Sequence, residues 1–110
     1  MRLWDAASNR KPCAPVRDLI GEGNIASAYA VQDLNIAKRI DAGARPVGRK
    51  IGMTSAAVQK QLGYFEPNYG ILFADREATN GEEIPADRLL QPRAEAEIAF
   101  VLNVTLVVKG

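Results

Sequence analysis

The chain has 110 residues, 47% hydrophobic and 25% charged, a balance that suits one small folded domain or a piece of a larger one. Its 14 basic and 13 acidic residues leave a net charge of +1, so there is no electrostatic case for nucleic acid or an anionic membrane as partner. One cysteine, Cys13, excludes an internal disulfide, and the absence of histidine excludes Ser-His-Asp and Cys-His pairs and imidazole-held zinc.

The first ten residues allow a short helix with Leu3, Trp4 and Ala7 on one side. "RKPCAPVRD" follows, and Pro12 and Pro15 make it an extended loop. From Ile25 the spacing turns helical: Ile25, Tyr29, Ile36 and Ile40 form a stripe that Ala28, Gln32 and Ala37 widen. Asn24 is the expected N-cap of this helix and Gly43 its stop. "RPVGRKIGMT" reads as a strand, and "SAAVQKQLG" as a short helix capped by Ser55 and ended by Gly63.

"EPNYGILFAD" combines a turn with a short apolar strand, in which Gly70 is expected to supply unusual φ or close approach. "TNGEEIPADRLL" is a loop with a turn at Asn80 and Gly81. From Arg93 onward a further strand is expected, and "VTLVV" is another β-rich run. Helices precede strands, which points to an α+β fold.

"GEGNIA" and "GARPVGRK" imitate nucleotide-binding loops. The first has no preceding strand, and the second has Arg49 and Lys50 where lysine and a hydroxyl belong, so both are assigned to chance.

Two stretches carry chemistry. In "VGRKIGMT" a strand period puts Gly48, Lys50, Gly52 and Thr54 on one face. The flanking glycines open space beside the ammonium for a small anion or another backbone; the alternative is an edge-strand lysine that discourages aggregation. In "QPRAEAEIAFVLN" a strand would set Glu95 and Glu97 side by side, roughly 6–7 Å apart. Like charges so placed raise each other's pKa unless a cation lies between them, and a hard cation such as Mg²⁺ takes such oxygen ligands. The alternatives are a solvated face, a salt bridge to Arg93, or a helix begun at Pro92, on which the two carboxylates would point apart. Asn68 and Tyr69 offer polar groups to a pocket, or serve the turn and the core.

"AYAVQ", "GRKIGMTSAAVQKQLG", "EPNYGILFAD" and "LLQPRAEAEIAFVL" occur in that order, across roughly residues 3 to 103. Together they resemble the 2-keto-4-pentenoate hydratase group of the fumarylacetoacetate hydrolase superfamily. The resemblance implies N-terminal helices over residues 1–45, and over 46–110 the first part of a metal-binding mixed β-sandwich or β-roll, incomplete in this chain. It implies Mg²⁺ or Mn²⁺ held by Glu95, Glu97 and a third carboxylate beyond residue 110. It places Lys50 over the pocket, to hold the substrate carboxylate or relay a proton. Asn68 stands where these hydratases carry aspartate, and an amide cannot act as a base.

The implied substrate is a 2-hydroxy-dienoic acid, the enol of an unsaturated 2-keto acid from aromatic-ring degradation. The implied reaction is addition of water. A 4-oxalocrotonate-type decarboxylase of the same superfamily and a non-catalytic assembly module are the alternatives. The expected chain is a truncated N-terminal portion, inactive alone, of a protein that forms homo-oligomers. No apolar run approaches a membrane span, and Trp4, Asp5 and Asn9 replace a signal-peptide core, so a cytoplasmic location is expected.

Overall fold

The computed structural model describes residues 1–107. Helix α1 (Arg2–Asn9) ends at Arg10, whose φ of 51° is left-handed. The proline-bearing loop then runs to a single helical turn, α2 (Arg17–Ile20). Arg2 on α1 holds the Asp18 carboxylate through two hydrogen bonds of 2.7 and 3.0 Å and also donates to the Pro15 carbonyl. That ion pair keeps the Asp18 carboxyl below its ordinary range.

The long helix α3 (Ile25–Asp41) begins where the sequence places it: the Asn24 side chain accepts from the Ser27 N–H. Beyond its end, Gly43 takes a φ of 92°, and its N–H reaches the Ile40 carbonyl. The Lys38 ammonium lies 4.1 Å from the centre of the Trp4 ring, which joins α1 to α3. Arg39 grips both oxygens of Asp75 at 2.7 Å and stacks 4.1 Å over the Phe73 ring. Phe73 and Ala6 are the two buried apolar residues among those described.

Strands β1 (Pro46–Gly52) and β2 (Asn68–Phe73) form an antiparallel pair with Lys50 opposite Gly70 and Gly52 opposite Asn68. An irregularity between Pro46 and Gly48 fits the proline, which has no N–H to give the ladder. Between the strands, α4 (Ala56–Leu62) is capped by Ser55, whose hydroxyl accepts from Val58 N–H, and closes at Gly63 with φ 68°. Short 3-10 turns follow at Ala74–Arg76 and Ala86–Arg88. The four helices and one sheet among the described residues make the α+β class correct.

The strand expected from Arg93 is absent: residues 92–107 form neither strand nor helix, and the described part of "VTLVV" is likewise irregular, with Val108 outside the described residues. An apolar, β-prone sequence becomes a strand only when a neighbour takes its backbone N–H and C=O groups, and the sheet here has two strands. Ile98, Phe100 and Val101 are therefore 84–99% exposed. The whole chain shows 9645 Å² to solvent, where a compact monomer of this mass shows about 6,000 Å². Its radius of gyration of 15.9 Å exceeds the about 13 Å of a compact chain of this length. Much apolar surface thus stands open, that of Ile98, Phe100 and Val101 included.

Candidate functional site

A cavity of about 520 Å³ lies between the start of α3, the facing strands and the end of α4. Lys50 and Asn68 both line it, beside Tyr29, Gln32, Tyr64 and Tyr69. The reason is the register. Cross-strand partners share a face, so Gly48, Lys50 and Gly52 of β1 stand on the same face as Leu72, Gly70 and Asn68 of β2. Lys50 and Asn68 are diagonal neighbours on that face, about 7–8 Å apart by strand geometry.

Gly70 and Gly52 on this face differ in what a side chain would meet. A Cβ at Gly70 would touch the Lys50 Cγ at 3.6 Å, an ordinary contact, and its φ is not left-handed, so the unusual φ expected there is not found. A plain strand is enough to carry Gly70 across from the lysine. At Gly52 a Cβ would meet the Asn68 Oδ1 at 2.6 Å, so the asparagine amide occupies the space the glycine leaves. Next to it Met53 takes a left-handed φ of 55°, uncommon for a residue with a side chain, and its carbonyl accepts from the Gln59 amide at 2.8 Å.

The acidic segment reaches the lysine. Glu95 Oε2 stands 3.8 Å from Lys50 Nζ, with the two side chains 68% and 49% exposed. In water such a pair is worth about 0–1 kcal/mol, so it marks proximity rather than a strong bond. Glu97 is exposed. With no strand over residues 93–97, the expectation that Glu95 and Glu97 share a strand face is withdrawn for this structure; the alternative of a helix is also absent. Glu95 bonds to Lys50 and not to Arg93 among the ion pairs of the described residues.

As ligands the two glutamates offer hard oxygen donors suited to Mg²⁺ or Mn²⁺. No group of three His, Cys, Asp or Glu side chains converges among the described residues. Lys50 Nζ beside Glu95 competes for the same carboxylate.

Three lining residues make contacts that the sequence did not disclose. The rings of Tyr29 and Tyr69 stack with centroids 4.4 Å apart and planes within 12°. Tyr29 Oη accepts from the Tyr69 N–H, and the Gln32 amide donates to the Tyr69 carbonyl, both at 3.3 Å. The Tyr64 hydroxyl donates to Glu66 Oε2 at 3.4 Å. Partial desolvation, followed by the negative charge of Glu66, holds the Tyr64 phenol above the ordinary tyrosine range. In the sequence Tyr29 and Gln32 read as part of an apolar helix stripe. The available signal was that two polar-tipped residues one turn apart face a strand, though which strand is a tertiary fact.

No protein-family model matches the chain. Comparison with curated proteins does decide its relationship. It is 57% identical over 101 residues to the TodF product hydratase of Pseudomonas putida, covering 92% of this chain and 38% of that one. The chain is a homologue of the 2-keto-4-pentenoate hydratases. A protein of that name from Paraburkholderia xenovorans is 50% identical over the same span. The 2-hydroxypent-2,4-dienoate hydratase of Pseudomonas putida is 37% identical over 109 residues, 98% of this chain and 49% of that protein. The chain thus spans about two fifths to one half of the length of these hydratases. No helix among the described residues is long and apolar enough to cross a membrane.

Proposed function

We propose that the chain carries the lysine and two acidic ligands of a metal-dependent hydratase. This carbon–oxygen lyase adds water to a 2-hydroxy-dienoate, the enol of an unsaturated 2-keto acid of aromatic meta-cleavage catabolism. The observation that carries the reading is the approach of Glu95 to Lys50, 3.8 Å apart. The homologues named as hydratases support the same reaction class.

Glu95 and Glu97 would hold Mg²⁺ or Mn²⁺, which when bound supplies a Lewis acid for negative charge at the substrate 2-oxygen. The chain's own residues do the rest. The Lys50 ammonium pairs with the substrate carboxylate, or carries a proton at Nζ between the 2-hydroxyl and the far carbon of the diene. The dienol loses the 2-hydroxyl proton and gains one at carbon 5, which leaves a conjugated enone. Water then adds its hydroxyl at carbon 4 and its proton at carbon 3. Asn68 orients substrate or water through its amide but takes no proton. The stacked Tyr29 and Tyr69 rings give a flat wall for a planar conjugated acid.

The finer architecture belongs to the same proposal. Residues 1–45 form a helical region and 46–110 open a β-sandwich or roll. The break between Asp41 and Pro46 and the exposed apolar residues 98–107 support that division. The third carboxylate lies beyond residue 110, the complete protein is a cytoplasmic homo-oligomer, and this chain alone turns over no substrate.

A decarboxylase reading of the same site is favoured by one feature, the amide of Asn68 where a hydratase is expected to carry an acid. A chimera separates the two. The matching 101 residues of the TodF product hydratase are replaced by this chain's, and the product is assayed with 2-hydroxypentadienoate and with oxalocrotonate. Hydration that is lost in Lys50→Ala is the expected result. A folded chimera that releases carbon dioxide only would overturn the hydratase.

A further inference from the structure

We infer that Tyr29 and Gln32 are positioning residues, a two-point clamp on the backbone of Tyr69 that holds Asn68 and Gly70 in register with Lys50. The inference rests on the cavity reading above and extends it to side chains one turn apart on α3. Tyr69 has both of its backbone polar groups engaged by this one helix: its N–H by Tyr29 Oη and its carbonyl by the Gln32 amide, each at 3.3 Å. The ring stack at 4.4 Å adds a third point of hold.

The physical need for such a clamp is clear. A two-stranded ribbon is only marginally stable by itself, and glycines at positions 48, 52 and 70 weaken this one further. A weak strand slips in register, and a slip of one residue would turn Asn68 to the opposite face from Lys50. Tyr69 sits opposite Ile51, between the two pairs that matter, Lys50 with Gly70 and Gly52 with Asn68. Fixing the Tyr69 backbone therefore fixes both neighbours at once. Neither clamp residue need touch the reacting atoms for this to govern ligand binding.

The test uses the chain as it stands, with pyruvate as the probe for a 2-oxo acid. Tyr29→Phe keeps the ring stack and removes the oxygen; Gln32→Met keeps length and removes the donor. Pyruvate affinity is read by NMR titration, exchange of the Tyr69 amide by hydrogen exchange, and global stability by thermal melting. The expected result for each variant is faster Tyr69 exchange and pyruvate affinity weaker by about five-fold, the equivalent of one lost hydrogen bond. Leu34→Ala, on the exposed side of α3, should leave both unchanged. Weakened affinity must appear at a melting temperature close to that of the parent, which a general loss of structure would not give. Parent and variants that bind pyruvate equally would overturn the clamp while leaving the cavity reading intact. A parent chain that does not bind pyruvate would overturn the cavity reading, and the clamp with it.

Discussion

The Asn68 amide fills the space above Gly52: a Cβ on that glycine would stand 2.6 Å from Asn68 Oδ1. The contact is with the end of a side chain and not with backbone. Gly52→Ala should therefore turn the asparagine aside at little cost to the fold, under about 1 kcal/mol. The expected signature is a shifted Asn68 side-chain amide resonance with a nearly unchanged melting temperature. A large loss of stability instead would mean that the strands approach more closely than this geometry describes.

The helix caps are independent of the site. Asn24 accepts from the Ser27 N–H at 3.0 Å, and Ser55 from the Val58 N–H at 3.2 Å. Asn24→Ala and Ser55→Ala should each cost about 1 kcal/mol in urea unfolding, because each leaves an N–H of the first turn without its partner. The pair lies on different helices, so the double variant should show the sum.

Acid should loosen the N-terminal helix. The Arg2 hydrogen bonds lower the Asp18 carboxyl in the folded chain. A depressed carboxyl contributes stability that is complete above the unfolded aspartate value, about 3.9, and is lost as pH falls through the lower folded value. The Trp4 indole signal should report this loss below about pH 4, and Asp18→Asn should remove that part of the titration. An unchanged acid profile in Asp18→Asn would show that the Arg2 pair does not hold α1 in solution.

The local signals in this sequence were easy to read because their causes are local. Asn24 and Ser55 announce helix starts, Gly63 announces a stop, and the alternation around Lys50 announces its face. The segment after Arg93 departs from its strand expectation for the converse reason. Its alternation and apolar content describe how it would behave beside a partner strand, and the partner is not a property of the segment. Lys50, Asn68 and Glu95 could be named from motif resemblance, and the structure brings Lys50 near the other two. The contacts of Tyr29, Gln32 and Tyr64 are not legible there, because they depend on α3 and the end of α4 meeting β2 around one cavity.

We propose that Glu95 and Glu97 together hold a divalent cation next to Lys50. Titration of Mn²⁺ into the chain, followed by calorimetry and by paramagnetic broadening of backbone amides, tests it most directly. The parent chain should bind weakly, with broadening concentrated at residues 50 and 95–97, and Glu95→Gln/Glu97→Gln should abolish both heat and broadening. Equal heats from the parent and the double variant, with broadening spread over unrelated acidic residues, would contradict it.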